Sequence, residues 1–309
     1  MADASALGLW GVPLAIFGGA IRVSTPFLFV SLGECLTERS GRINLGLEGT
    51  LVIGAMTGYA MSYHAGNPFI GVGFAALAGL VFGLIHGWLC SFKGVNDIAV
   101  GIAMMVLGMG LAFYFGKPYV QPAAPGLPAI PFGWWSDIPQ VRAALQVNVL
   151  FIAGAILAFA MGWMFRNTRI GLTVRVVGDS TDAARTLAIR PVRVRVLATA
   201  VGGAFAGIGG AYLSLYYPGS WNEGIASGQG LMAVALVIFA RWNPVNCFWA
   251  ALLFGGAGAL GPALQSVGIT EGYYLFYAAP YVLTLGILIA TSSTERALTG
   301  APRELAITK

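Results

Sequence analysis

The sequence has very little charge. Only 9% of its 309 residues are Asp, Glu, Lys or Arg, whereas 57% are hydrophobic, and the mean hydropathy is +0.78. Soluble domains average about 25% charged residues, so a soluble fold is excluded and a polytopic membrane protein is predicted. The net charge of +5 then reflects topology and not nucleic-acid binding, because most basic residues lie in short loops.

Motifs for catalysis, nucleotides and metals are also missing. There is no G-x-x-x-x-G-K-[ST] loop, so the chain does not bind ATP in the Walker manner. No HExxH, GxSxG or carboxylate pair with a base lies in an apolar segment, so no enzyme is expected. Cys35, Cys90 and Cys247 lack metal-ligand spacing, and neither His64 nor His86 has a ligand four residues away, so no metal site is predicted. The N-terminus lacks the features of a cleaved signal peptide.

What the chain does contain is a series of long apolar segments. A membrane helix needs about 20 apolar residues. On that rule an all-α fold with about nine spans is predicted, as one domain over residues 1–309. The spans lie near residues 10–33, 45–64, 68–92, 96–116, 147–165, 192–217, 226–241, 244–266 and 272–292. The seventh is short, as a partly broken helix would be.

The most polar stretch, residues 166–195, sets the topology. It carries seven of the seventeen basic residues, opposed only by Asp179 and Asp182. The positive-inside rule places it in the cytoplasm. Counting spans then puts the C-terminus inside and the N-terminus outside. The seven basic residues are Arg166, Arg169, Arg175, Arg185, Arg190, Arg193 and Arg195.

A short helix is predicted inside this stretch. Asp179 is the expected N-cap, and Pro191 stops the helix or begins the next one. Helical spacing places Ala183, Ala184, Leu187 and Ala188 on one face, opposite Arg185 and Thr186. The segment is either an ordinary solvated loop or a surface that a soluble partner grips.

The loop at residues 117–146 is expected outside the cell. Its six prolines favour extended backbone, and Trp134 and Trp135 suit a membrane interface. It either receives a soluble binding protein or only connects two spans.

Two parts of the chain resemble each other in their helix starts. Asn67-Pro68 and Asn243-Pro244 both open a span, and residues 44–49 and 228–230 both open one with a Gly-flanked polar residue. The predicted repeat units, residues 44–116 and 226–292, run in opposite directions across the membrane. Inverted repeats with interrupted helices are typical of transporters.

Polar residues at the ends of spans are candidates for a substrate path, because acidic groups at bilayer depth usually face a cavity or a partner. The candidates are Asn44, Glu48, Asn96, Asp97 and Gln229. Glu34 and Glu271 have similar positions. The alternative is that these groups cap helices or pair with Arg39 and Arg42. The tyrosines 273, 274, 277 and 281 form a helical stripe that suits core packing or stacking on a ring-bearing substrate.

Two motifs resemble a known family. Residues 33–49, GECLTERSGRINLGLEG, and residues 171–189, GLTVRVVGDSTDAARTLAI, are similar to segments of the inner-membrane permeases of bacterial ABC importers. The matching group serves branched-chain amino acids, ribose-type sugars and nucleosides, and the first motif most resembles the nucleoside branch. The second resembles the cytoplasmic coupling segment, but Asp179 and Ala188 stand where Asn or Glu and Gly are usual.

The resemblance implies a transport subunit of the inner membrane with several partners. These are an ATPase that binds the ATP, a second permease (a different chain, or a copy of this one), and a binding protein or lipoprotein. The chain itself would hold no cofactor. The implied ATPase contacts are Gly178, Asp179, Asp182, Ala183, Ala184, Arg185, Leu187, Ala188 and Ile189. Simple sugars, riboflavin-like compounds and branched-chain amino acids remain alternative substrates. An ion-gradient-driven carrier and a structural or signalling subunit are alternative classes.

Overall fold

The structure, a computed structural model, describes residues 11–266, 276, 278–291 and 301–306, and these are mainly helical. The helices are α1 (Gly11–Arg39), α2 (Leu47–Ala65), α3 (Pro68–Leu89), α4 (Asp97–Gly116), α5 (Pro139–Ala144), α6 (Val149–Asn167), α7 (Arg169–Asp179), α8 (Thr181–Thr186), α9 (Pro191–Leu215), α10 (Gln229–Phe239), α11 (Pro244–Gln265), α12 (Ala279–Thr291) and α13 (Arg303–Ala306). Two short strands, β1 (Ala129–Pro131) and β2 (Gln146–Asn148), pair antiparallel.

Six helices are long and apolar enough to cross a membrane: α1, α3, α4, α6, α9 and α11. The predicted spans near residues 45–64 and 226–241 overlap α2 and α10, and α12 lies in the described part of the span near residues 272–292. The prediction of an all-α polytopic membrane fold is therefore confirmed.

Asparagine side chains fix where several of these helices begin. The carboxamide oxygen of Asn67 accepts the N–H of Phe69 at the start of α3, and Asn243 accepts that of Val245 at the start of α11. In both helices a proline follows at the first position. Its missing N–H costs nothing there, because the first turn has no intrahelical partner for it.

The centre of the bundle is the crossing of α1 and α9. A Cβ atom placed on Gly33 would meet the carbonyl oxygen of Gly202, and one placed on Gly202 would meet that of Gly33. Around this crossing, α3 and α2 pack on α9, whereas α11 and α10 pack on α1. This correspondence suits an inverted repeat, although the repeat units themselves remain a prediction.

The bundle has two different ends. At one, here called the basic end, Arg39 at the close of α1 meets Trp242 beyond α10, and Arg195 in α9 meets Ser40. At the other, the loop end, the 117–146 loop folds onto the helices. There Leu127 donates its N–H to the carbonyl of Leu215. Trp134 and Trp135 project from this loop and are largely exposed.

Candidate functional site

Helix α10 extends across only part of the bundle. It contains 11 residues, Gln229–Phe239, and is therefore about 16 Å long. The hydrocarbon core of a bilayer is about 30 Å thick. A helix of this length that ends near the basic end therefore begins close to the middle of the membrane.

The start of α10 is held by Glu48. The Glu48 carboxylate accepts the N–H of Gly228 at 2.8 Å and that of Gly230 at 2.6 Å, and its side chain is buried. A carboxylate that accepts free N–H groups at a helix start is stabilised by charge-assisted bonds and by the helix dipole. Glu48 thus pairs with backbone donors, and not with Arg39 or Arg42.

Glu48 reaches this depth because α2 begins late. Asn44 accepts the N–H of Gly46 at 2.9 Å, which turns the chain just before α2 starts at Leu47. The adjoining Gly49 packs against Met104, Met105 and Gly108, which lie 7 to 11 positions beyond Asp97, the first residue of α4. That separation corresponds to roughly 10–16 Å along the helix axis, so Glu48 lies well inside the membrane, towards its middle.

A second carboxylate ties this turn to α1. Glu34 in α1 accepts the N–H of Asn44 at 2.8 Å. The chain of contacts therefore runs from α1 through Asn44 to α2, and through Glu48 to α10. These hydrogen bonds join α1 to α10 without any ion pair.

Gln229, the first residue of α10, carries an unpaired hydrogen-bond acceptor among the described residues. Its Oε1 atom is buried and has no hydrogen-bond partner in the part of the chain that the structure describes. A buried amide oxygen without a partner is costly. A donor group on a bound solute would satisfy it.

Asn96 and Asp97 lie elsewhere. Asn96 is exposed and caps α4 by accepting the N–H groups of Ile98 and Ala99. Asp97 forms an ion pair with Arg42 at 2.7 Å. The structure therefore places Glu48 beside the start of α10, which Gln229 opens. It leaves Asn96 and Asp97 at the basic end, with Asn44 nearer to them because the N–H of the adjacent Ile43 donates to Asp97 at 3.5 Å.

The tyrosine stripe and Glu271 fall largely outside the described residues. Of these, only Tyr281 has a described side chain, and its hydroxyl donates to the carbonyl of Ser227, beside the start of α10, at 3.2 Å.

One contact was missed by the sequence reasoning. The indole N–H of Trp242 donates to the buried Glu38 carboxylate, and Trp242 lies just beyond the end of α10. Carboxylates from α1 and α2 therefore hold both ends of this short helix. The only sequence signal for this contact is that Glu38 follows Glu34 by four residues.

The predicted coupling segment, residues 166–195, differs from its prediction in the cap of its short helix. Asp179 is the last residue of α7, and the hydroxyl of Ser180 caps α8 by accepting the N–H of Ala183. The predicted Asp179 cap is therefore wrong, because α7 extends one residue too far for Asp179 to be free. Helix α8 ends at Thr186, and Ala188 takes a left-handed conformation, with φ of 57°, before Pro191 begins α9.

The predicted face of this helix is also wrong at one position. Ala184 is completely buried against its own chain, whereas Ala183 is exposed and Leu187 is 63% exposed. Ala184 cannot enter a groove on a partner. The exposed residues of α8 and of the two positions after it are Asp182, Ala183, Arg185, Thr186, Leu187 and Ala188.

Gly178 joins the segment to the bundle. A Cβ atom at this position would collide with the carbonyl oxygen of Arg39, at the end of α1. Only glycine permits so close an approach. The coupling segment therefore rests directly on a central helix.

Comparison with known proteins gives a consistent picture. A family model described as "Branched-chain amino acid transport system / permease component" matches residues 16–291. No solved structure matches.

Individual relatives align over most of their length. A Haloferax volcanii protein named "Putative glucose ABC transporter permease protein" is 33% identical over 82% of this chain and 79% of its own. The guanosine ABC transporter permease protein of Bacillus subtilis is 30% identical over 85% and 87%. The nucleoside ABC transporter permease protein of Lactococcus lactis subsp. cremoris is 27% identical over 86% and 88%.

Proposed function

Because this chain belongs to the branched-chain amino acid transport system / permease component family, and is a permease subunit of an ABC importer, we propose that its substrates are nucleosides. The observation that carries the proposal is the Glu48 carboxylate at the start of α10. In transporters with interrupted helices, the N-terminus of a half-helix commonly binds an anionic group of the substrate.

Here that position is already filled by the protein's own carboxylate. An amino-acid carboxylate would have to displace Glu48 or approach it against like-charge repulsion. A neutral solute with several hydrogen-bonding groups meets no such penalty, and Gln229 offers it an acceptor. This argument favours nucleosides and simple sugars over amino acids.

The relatives include permeases for both kinds of solute, and the resemblance of residues 33–49 to the nucleoside branch favours nucleosides as the first candidate. Two of the three relatives compared above carry guanosine or nucleoside in their names. Simple sugars are the second candidate, because the relative with 33% identity is named for glucose.

Uptake by the complete transporter decides between these substrates. Cells that express it would be given labelled guanosine or uridine with an excess of unlabelled glucose, ribose or leucine as competitor. We expect that other nucleosides compete and that glucose and leucine do not. Competition by glucose, with no uptake of nucleosides, would assign a sugar. Uptake that survives ATP depletion but stops when ion gradients collapse would indicate a secondary carrier instead.

Coupling to ATP is proposed to occur through α8. The exposed surface around Leu187 would contact a separate ATPase, which binds the ATP. A second, different permease would complete the membrane core, and a binding protein or lipoprotein would dock on the 117–146 loop. The chain would lie in the inner membrane with α8 in the cytoplasm, as the excess of arginines there predicts.

Two substitutions test this contact. Leu187→Arg should abolish ATP-driven uptake and leave the amount of folded protein unchanged, because Leu187 is 63% exposed. Ala184→Arg should lower the amount of folded protein, since Ala184 is completely buried. Membrane content and uptake would be measured for both. Full uptake by Leu187→Arg would show that this surface does not receive the ATPase.

A further inference from the structure

The C-terminal helix α13 lies against the coupling segment. Glu304, from α13, accepts the backbone N–H of Thr181, the first residue of α8, at 2.8 Å. Its other carboxylate oxygen lies 3.2 Å from the guanidinium of Arg195 in α9. One side chain therefore connects the start of α8 to a central helix.

Arg195 extends this connection to α1. Its guanidinium donates to the carbonyls of Ser40 and Val177 and to the hydroxyl of Thr181, at 3.1, 3.3 and 3.0 Å. Gly41, with φ of +86°, packs against this side chain, since a Cβ atom on it would be 3.0 Å from the Cβ of Glu304. The ends of α1 and α7, the start of α8 and the first turns of α9 thus meet around one carboxylate.

The neighbouring residues keep α13 in place. Pro302 is buried, and Ala301 and Leu305 pack against the apolar cluster that contains parts of α1, α9 and α11. Arg303, in contrast, is exposed. The position of Glu304 is therefore set by apolar packing on either side of it.

Helix α8 is too short to hold its own orientation. It has six residues, and isolated helices shorter than about 12 residues are marginal in water. The left-handed Ala188 and the extended Ser180 flank it on both sides. Its direction must come from tertiary contacts, and the contact with Glu304 reaches its first backbone N–H.

We propose that Glu304 is a positioning residue for energy coupling: it holds α8 against α1 and α9, so that movement of α8 is passed to the central helices and not lost in rotation of α8. The proposal rests on the coupling role assigned to α8 above, and goes beyond it by giving the C-terminal segment a part in transport. The effect of losing Glu304 should appear in the amount of substrate moved per ATP hydrolysed.

The test uses the complete transporter with its ATPase, reconstituted in proteoliposomes. Four variants are compared: Glu304→Ala, Glu304→Gln, Arg303→Ala and Leu187→Arg. Glutamine retains an acceptor for the N–H of Thr181 but loses the charge that faces Arg195. Arg303→Ala is the matched control, because it changes a charge on the same helix at an exposed position.

We expect Glu304→Ala to reduce substrate moved per ATP by roughly tenfold, as suits the loss of one hydrogen bond to a charged group. Glu304→Gln should lie between this variant and the wild type, and Arg303→Ala should match the wild type. Assembly with the ATPase and the substrate concentration for half-maximal uptake should not change, whereas a general folding defect would lower the amount of assembled complex.

Wild-type coupling in both Glu304 variants overturns the proposal. If Glu304→Ala does not assemble, Glu304→Gln decides, because it preserves the size of the side chain. If Leu187→Arg loses coupling and the Glu304 variants do not, the role of Glu304 is rejected and the role of α8 stands. Full coupling in Leu187→Arg rejects the role of α8, and the role of Glu304 with it.

Discussion

At the scale of single residues, Glu48 contributes most to the site because it acts on another helix. Its two carboxylate oxygens satisfy N–H groups of Gly228 and Gly230 that α10 leaves without intrahelical partners. A glutamine in its place would offer one oxygen and one NH₂ group, and the NH₂ would face a second donor. The charge of Glu48 is therefore needed as well as its shape.

Glu48→Gln should reduce uptake about tenfold or more, since hydrogen bonds to a charged group contribute about 1.5–3 kcal/mol each. Membrane insertion should not change, because the surrounding helices remain apolar. Uptake and protein content in proteoliposomes would be measured. Glu223→Gln, an exposed glutamate in the connection before α10, is the control and should transport normally. Equal uptake by both variants would contradict the capping role.

Glu304 permits a prediction about pH. Burial by itself would raise the pKa of this carboxyl, but the N–H and hydroxyl of Thr181 and the guanidinium of Arg195 outweigh it and lower the pKa below its usual value. A carboxyl with a lowered folded-state pKa stabilises the folded form above its unfolded pKa. This contribution is lost as the pH falls through the lowered value.

The contact of α13 should therefore persist at neutral pH and be lost only below the usual glutamate pKa of about 4.3. A fluorophore on Arg303→Cys, with the three native cysteines replaced by alanine, would report the loss of the contact between Glu304 and its partners. The same label combined with Glu304→Ala should give the low-pH signal already at pH 7. A midpoint above pH 5 in the parent would show that the carboxylate is not stabilised by these partners.

Residue positions could be predicted only partly from the sequence. Glu48 was a candidate because glycines flank it, but its partners 180 and 182 residues away depend on tertiary packing. Helical spacing wrongly predicts Ala184 on the outward face, because spacing gives the relative directions of side chains but not the rotation of the helix. Glu304 gave no local signal, because its role depends entirely on Thr181 and Arg195.

At the scale of helices, close contacts between glycines define the centre of the molecule. The α1–α9 crossing at Gly33 and Gly202 leaves no room for a side chain. Small residues allow membrane helices to approach and pack closely, since the hydrophobic effect does not drive their association in lipid. Any motion passed from the coupling segment to α1 or α9 would reach this crossing.

Gly202→Ala should destabilise the protein by about 1–3 kcal/mol, as overpacking of a close contact does. Its Cβ would lie 2.7 Å from the carbonyl oxygen of Gly33. Gly73→Ala in α3 is the control, because nothing lies within 4 Å of that position and alanine favours the helix. Unfolding in detergent would be followed for both. If Gly73→Ala lost as much stability as Gly202→Ala, the packing explanation would be contradicted.

Helix starts were more predictable than helix contacts. The Asn-Pro pairs at residues 67–68 and 243–244 begin α3 and α11, as the sequence suggested, since capping is a local interaction. The short α10 was also anticipated from its apolar length. Its tethering at both ends by Glu48 and Glu38 was not, because neither contact is local.

At the scale of the whole molecule, the two ends of the bundle are built differently. The loop end is closed by the proline-rich segment, pinned where Tyr59 and Ser62 donate to the carbonyls of Pro122 and Pro125. The basic end carries the coupling segment and α13. Between them, a continuous set of contacts runs from α8 through Arg195 and α1 to Asn44, Glu48 and α10.

This arrangement works only if the coupling segment lies inside the cell, where a soluble ATPase can reach it. The most direct measurement is labelling of intact cells with a membrane-impermeant thiol reagent, in a variant without native cysteines. Asp137→Cys, in the 117–146 loop, should react at once, whereas Arg185→Cys, on α8, should react only after the membrane is permeabilised. Labelling of Arg185→Cys in intact cells would place α8 outside and contradict the account.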